Sequence, residues 1–305
     1  MKIEVTGKIE PDEHQKKLFK SHGFLNVITI LSAELANIRE ITGQPDALQG
    51  PEQIIARIKK TLSELHPWLI TPHQIQEFHN YMEQELAASA AATDWASHDR
   101  SLFDQSADNI RSLFRILHNQ VRIMSKYSDD IRHQEPIDLE QIRRYIMDFL
   151  QAIEKNSKGG YRIVTDAREQ GTSDYLFSLS MQSHEGDFVT MPAMLLECLF
   201  DLIANARKYT RPGGSIHTTL SGSPQFLTLL VQDNGMGIPG KELEQVTSFG
   251  HRAENARKRP TSGGGFGLTK AWYVTQKLNG RMWIHSEPGK GTAITLEIPR
   301  EQDPN

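Results

Sequence analysis

Four polar side chains interrupt an apolar stretch, Thr190 to Tyr209 (TMPAMLLECLFDLIANARKY): Glu197, Asp201, Asn205 and Lys208. At about 100° per residue the four fall within roughly 80° of one another on a helix. Buried polar groups need partners, so a narrow stripe of carboxylate, amide and ammonium on a helix that is apolar elsewhere points to a polar ligand on that face. The alternative is a helix packed on a sheet with its polar edge in water. Two glycine stretches bear on the choice. Asp233-Asn234-Gly235-Met236-Gly237 directly follows a strand-like run, and Gly263-Gly264-Gly265-Phe266-Gly267-Leu268-Thr269 directly precedes the helical run KAWYVTQKL. A glycine loop running into a helix N-terminus presents free N–H groups and the positive end of the helix dipole, which suits phosphate. The spacing is not that of a Rossmann turn, and the GKS or GKT of a P-loop is missing.

The elements that must position these residues are readable around them. Pro192 suits a first helical turn, Thr190 is placed to help cap it, and Pro212-Gly213-Gly214 stops the helix. Before it, Glu135 to Leu139 opens a second domain and a helix runs to about Asn156. Strand-like runs follow at 161–167, 174–183 and 187–191; others lie at 215–220, 225–233, 281–287 and 292–298. The expected result is a mostly antiparallel sheet with helices on one face, an α/β-sandwich domain in a chain of α+β class.

The first 134 residues read as helical. Residues 12–42 form one helix with a heptad seam at Phe24, Ile28, Leu31, Leu35 and Ile38, ended by Gly43-Gln44-Pro45. His22, Asn26, Thr29 and Ala33 make a second stripe on roughly the opposite side, so His22 is expected in solvent. A second seam runs through Ile110, Phe114, Leu117, Val121 and Met124. A dimeric four-helix bundle would bury both seams, and so would a monomeric bundle that uses the intervening helices at 54–65 and 73–92. His66, His73, His79 and His98 in the 44–100 segment match no metal-ligand spacing and read as solvated.

Composition sets the bounds. The chain has 305 residues, 38% hydrophobic and 24% charged, with net charge -4, which suits a soluble two-domain protein and gives no sign of nucleic-acid or membrane-surface binding. The one cysteine, Cys198, excludes an intrachain disulfide and fits a reducing compartment. No apolar run approaches the ~20 residues of a membrane helix, and MKIEVTGKIE is not a signal peptide. The expectation is a cytoplasmic protein.

Taken in order, the polar-striped helix, the two glycine stretches and Gly289-Lys290-Gly291-Thr292 resemble the ATP-binding domain shared by histidine kinases, DNA gyrase, a heat-shock chaperone family and MutL mismatch-repair proteins. The likeness covers about residues 135–300 and is greatest to histidine kinases, through Asn205-Ala206-Arg207-Lys208-Tyr209-Thr210. It implies that Asn205 holds Mg²⁺, that Lys208 contacts phosphate and that Tyr209 lies by the base or sugar. Asp233 would accept the adenine amino group, with Thr292 supporting it. Gly235 and Gly237 would let the backbone approach the base, and Gly263, Gly265, Gly267 and Leu268 form the second glycine box. The polar stretch 248–264 resembles a mobile lid. Asp201 stands where histidine kinases usually carry asparagine and the gyrase and heat-shock branches carry glutamate; it is either a hydrolytic base or a water-mediated metal contact.

Ser21-His22-Gly23-Phe24-Leu25-Asn26 resembles the phosphoacceptor helix of two-component histidine kinases, nearest to the citrate-sensor kinases and the sporulation phosphotransferase. His22, Phe24 and Asn26 match the pattern. Gly23 replaces the acidic residue expected as general base, and 44–100 replaces a short hairpin loop. The resemblance implies a soluble, homodimeric histidine kinase that phosphorylates His22 from Mg-ATP and passes the phosphoryl group to a response-regulator aspartate. Its input would be residues 44–100 or a separate sensor protein, and Asn26 would orient attacking groups. The departures leave open a degenerate, ATP-gated regulatory module or phosphatase, and, third, a gyrase-type ATPase with Asp201 as base.

Overall fold

A computed structural model describes the chain except residues 64–69, 97, 128–130, 156, 158, 258–264 and 301–305; the side chains at 20, 22, 63 and 123–127 also lie outside the description. Two compact units result. One comprises Asp12–Ser128 and Asp148–Lys158, the other Met1–Pro11, Asp129–Met147 and Gly159–Asn305.

The helical unit is built from α1 (Glu13–Thr42), α2 (Gln49–Ser63), α3 (Pro72–Ala92) and α4 (Arg100–Tyr127). Capping boxes start two of them. Asp12 accepts from Gln15 N at 2.7 Å while Gln15 answers the Asp12 N–H at 3.1 Å, and Thr71 and Gln74 do the same for α3. Gly43, at φ 64°, ends α1 in the left-handed conformation that glycine adopts without strain. Each helix packs on its neighbour in sequence, and α4 closes the ring against α1.

Both heptad seams are buried inside this ring. Phe24, Ile28, Leu31, Leu35 and Ile38 are at most 1% exposed, and Ile110, Phe114, Leu117 and Val121 are fully covered. Helices α2 and α3 supply the cover, so the seams need no second copy. Met124 lies outside the described side chains. His79 also differs from expectation: its ring stacks on Phe114 at 4.5 Å and 9° rather than standing in solvent.

The other unit holds a seven-stranded sheet in the order β1-β8-β9-β7-β6-β4-β3 and a small β2-β5 ribbon. The strands are β1 (Lys2–Glu4), β2 (Gln134–Asp138), β3 (Ile163–Val164), β4 (Tyr175–Ser183), β5 (Phe188–Pro192), β6 (Ser215–Gly222), β7 (Phe226–Asp233), β8 (Arg281–Glu287) and β9 (Gly291–Pro299). The β3–β4 and β4–β6 pairs are parallel and the others antiparallel. Residues alternate between buried and more exposed along β6 and β7, as a sheet with one covered face requires. Helices α6 (Ala193–Tyr209) and α8 (Gly267–Lys277) pack on each other and on the sheet.

Two boundaries depart from the division at residue 134. The first eleven residues belong with the sheet: Lys2–Glu4 pair with Trp283–His285, and the Gly7 carbonyl accepts from Trp272 Nε1 at 2.6 Å. An isolated three-residue strand leaves no periodic signal in the sequence, so only its pairing reveals it. Helix α5 (Leu139–Lys155) divides at Met147, its later residues grouping with the helical unit, where Arg115 pairs with Asp148 at 3.2 Å. Thr190 does not cap α6. It lies in β5 and its hydroxyl bonds Glu185, while Pro192 occupies the cap position without a side-chain bond.

Candidate nucleotide site

Helix α6 is buried over most of its surface, and the polar stripe seen in the sequence runs from buried at its first two members to half-buried at its last two. Glu197 and Asp201 are each 8% exposed; Asn205 and Lys208, further along, are half-buried. Two carboxylates one turn apart in an apolar setting call for a cation. It comes from α8: Lys270, 1% exposed, places Nζ 2.8 Å from Asp201 Oδ2 and 3.7 Å from Glu197 Oε2. Burial alone would lower the Lys270 ammonium, but the two carboxylates outweigh it and hold it above the ordinary lysine value. Burial pushes Glu197 up further than Lys270 recovers, which favours its neutral form. Burial also raises the neighbouring Cys198 thiol to about 12, so that side chain is an inert part of the core.

Lys270 was not singled out by the sequence pattern. A lysine within the apolar face of a helix, opposite two acids on another, is the signal that could have found it. In this structure Asp201 is a partner of Lys270 in a buried ion pair.

Asn205, one turn beyond Asp201, makes no side-chain hydrogen bond to a described residue. The start of α8 comes close to it: a Cβ on Gly267 would stand 3.1 Å from Asn205 Nδ2 and 3.2 Å from Asp201 Cβ. The N-cap residue of α8, Phe266, makes no side-chain cap bond, and a helix N-terminus of this kind suits an anion. Among the described residues no cluster of three or more His, Cys, Asp or Glu is placed to hold a metal. A Mg²⁺ ion here would have Asn205 as one oxygen ligand, with phosphate oxygens and water completing its shell, a coordination common for this ion.

The cationic side is made by Lys208. Burial first, then Arg252 and Arg207, lower its ammonium to about 8. A phosphate beside Lys208 would relieve the repulsion that the two guanidinium groups impose on it. Tyr209 follows, its ring 5.5 Å from Lys208 Nζ and its carbonyl accepting from Met236 N at 3.1 Å.

At the end of β7, Asp233 Oδ1 accepts from Gly235 N at 2.8 Å and Thr292 N at 3.3 Å. Both bonds go to Oδ1, leaving Oδ2 for an N–H donor. Burial raises this carboxyl to about 6, against the pull of those two backbone bonds. Gly237 (φ 64°) and Gly291 (φ 104°) are required here by packing against protein backbone: a Cβ would stand 2.0 Å from the Glu287 carbonyl and 1.9 Å from the Asp233 carbonyl. At Gly235 the space is taken by the Tyr209 carbonyl, 2.5 Å from a built Cβ. Ser286, also missed in the sequence, is 2% exposed and ties the corner together, its Oγ meeting Thr292 Oγ1 at 2.8 Å and accepting from Ile238 N at 2.8 Å.

The described part of the 248–264 stretch carries a one-turn helix, α7 (Glu254–Arg257); its Asn255 donates to the Gly237 carbonyl at 2.8 Å. Phe249 packs on Phe266 at 4.5 Å. Gly265 is in the left-handed region at φ 72° and Leu268 is half-buried. Gly263 lies outside the described residues. His22 and Asn26 belong to the helical unit, both in α1; the His22 side chain is outside the description and Asn26 is exposed.

Residues 191–302 match the family described as histidine kinase-, DNA gyrase B- and HSP90-like ATPase. Among curated proteins, the sensor histidine kinase RppB of Synechocystis is 36% identical over 107 residues, 35% of this chain and 24% of RppB. The sensor protein kinase WalK of Staphylococcus aureus is 27% identical over 182 residues, 58% of this chain and 29% of WalK. The chain thus spans about a quarter of the length of these relatives. Solved structures include a mycobacterial sensor histidine kinase, MprB, at 22% identity and TM-score 0.40, covering 54% of this chain and 97% of that one. By family and relatives the chain is similar to two-component sensor histidine kinases, with the ATPase-type domain as the shared part. Among the described residues no helix is long and apolar enough to cross a membrane.

Proposed function

We propose that the protein is a cytoplasmic protein-histidine kinase that binds Mg-ATP on α6 and α8, transfers the γ-phosphoryl group to His22 and passes it to a response-regulator aspartate. The observation that carries this reading is the shared setting of an unbonded Asn205 amide, an uncapped α8 N-terminus, the Lys208 cation and the open Oδ2 of Asp233. Asp233 would accept the adenine amino group, Lys208 would hold phosphate and Asn205 would hold Mg²⁺. The metal would supply charge neutralisation on the β- and γ-phosphates. A His22 ring nitrogen would attack the γ-phosphorus as the bond to the β-phosphate oxygen breaks; ADP leaves, and the ring proton passes to solvent.

A second copy, a receiver domain and a separate sensor protein are the proposed partners. A dimer would form through a surface other than the two seams, which the chain covers itself. A second reading, an ATP-gated regulatory module, is favoured by Gly23, which is buried where the acidic base was expected. A gyrase-type ATPase is the weakest reading, because Lys270 already pairs with Asp201.

Incubation with γ-labelled ATP and Mg²⁺ separates them. Acid-labile label on the wild type, lost in His22→Gln and in Asn205→Asp, is expected for the kinase. Tight ATP binding without label selects the regulatory module. Steady phosphate release that Asp201→Asn abolishes selects the ATPase.

A further inference from the structure

The Lys270–Asp201–Glu197 group lies against the candidate metal ligand yet has no part in the scheme above. Asp201 is one helical turn from Asn205, and both approach the same point beside Gly267, at 3.2 and 3.1 Å from its built Cβ. A carboxylate so placed has two competing fates: to bind a divalent cation or water at the site, or to stay with an internal cation. Lys270 Nζ, at 2.8 Å, supplies the second. Taking the ammonium away would leave two buried carboxylates unpaired, so the pair is expected to persist when the site is filled.

We propose that Lys270 is a positioning residue that holds Asp201 in an internal ion pair, so that a divalent cation in this site is held by Asn205 and ligand phosphates without Asp201. The proposal rests on reading the site as one for Mg-nucleotide, and it gives that reading a specific consequence. Asp201, neutralised from within, neither adds charge to the metal nor takes a proton from water. The bound nucleotide is thereby kept for transfer.

The test is ATP binding by the full chain, measured by calorimetry across a Mg²⁺ titration, with no turnover needed. Asp201→Asn uncovers the Lys270 ammonium beside the site and should raise the Mg²⁺ midpoint by about tenfold, through repulsion of the cation. Lys270→Met should lower the midpoint by about tenfold, as the freed carboxylate is recruited to the cation. Lys270→Arg and the double variant Asp201→Asn/Lys270→Met should return the wild-type midpoint. A residue that merely packs α8 on α6 would change the melting temperature and leave the midpoint alone.

A wild-type midpoint in folded Lys270→Met overturns the proposal. So does a tenfold or greater rise in the double variant Asp201→Asn/Lys270→Met, which would make Asp201 a ligand; that variant strands no buried lysine and decides the matter even if Lys270→Met fails to fold. Wild-type protein that binds no ATP at any Mg²⁺ concentration overturns the site reading itself, a different failure from either of these.

Discussion

The two units handle buried charge in opposite ways. Among the described residues, the sheet-containing unit buries Asp174, Glu197, Asp201, Glu242 and Lys270, whereas the helical unit buries one charged side chain, Glu34. In the first unit these groups, with left-handed glycines, fix where the backbone of one loop meets another. In the second, apolar seams do nearly all the work, and interchangeable hydrophobes could fill them. One region is specified by directional contacts and the other by volume.

The sharpest way to break this contrast is a pair of substitutions of similar cost and different cause. Phe114→Ala removes a fully covered ring from the bundle and should cost about 3–5 kcal/mol through the cavity it leaves. Gly237→Val brings a Cβ to 2.0 Å from the Glu287 carbonyl at φ 64° and should cost at least about 3 kcal/mol through backbone strain. Denaturant titration should show Phe114→Leu regaining most of its loss, since volume is what was removed. Gly237→Ala should regain almost nothing, since any Cβ clashes. Equal recovery in both would end the distinction.

The bundle's own polar contact probes the exception. Asn109 Nδ2 donates to Glu34 Oε1 at 2.6 Å in a buried setting. Asn109→Leu leaves that carboxylate with only the long bond from Asn37 Nδ2, at 3.4 Å, and should destabilise by about 2–3 kcal/mol. The double variant Glu34→Leu/Asn109→Leu should come back to within about 1 kcal/mol of wild type or exceed it, because an apolar pair removes the desolvation cost altogether. Thermal melts of the single and double variants check this. A double variant worse than the single would mean that the bundle, too, depends on directional contacts.

The same contrast explains what the sequence made legible. The seams, the helix ends and the α6 stripe came from periodicity and caps, which are local properties. The glycine boxes located the loops, but not the partners that need the missing side chains: Gly237 and Gly291 answer to backbone far along the chain. Lys270 and Ser286 were invisible for that reason, since each acquires its role only when strands and helices distant in sequence meet. Either a dimer or a monomeric bundle closed by the intervening helices would bury the two seams, and periodicity alone does not choose between them. Helices α2 and α3 cover them with their own apolar faces, Ile55 and Leu62 from one and Ile75, Phe78, Met82 and Leu86 from the other.

The smallest predicted effect is a pH window for nucleotide binding, and it sharpens the contrast because it rests on two groups in one unit. Lys208, lowered to about 8, must be charged to hold phosphate, so affinity should fall as pH rises above that value. Asp233, raised to about 6, must be ionised to accept the adenine amino group, so affinity should fall as pH drops below it. Each limb is at most about tenfold per pH unit, or 1.4 kcal/mol. In the free protein the signs reverse. The depressed lysine binds fewer protons folded than unfolded, so its contribution to stability rises as pH climbs from about 8; the raised carboxyl binds more, so its contribution falls as pH passes up through 6. ATP affinity and melting temperature, followed together from pH 5 to 9, should therefore move in opposite directions on both limbs. Lys208→Met should flatten the alkaline limb of both curves and leave the acid limb, and Asp233→Asn the reverse. Affinity and stability that rise and fall together would show that the two groups do not meet the nucleotide as assigned.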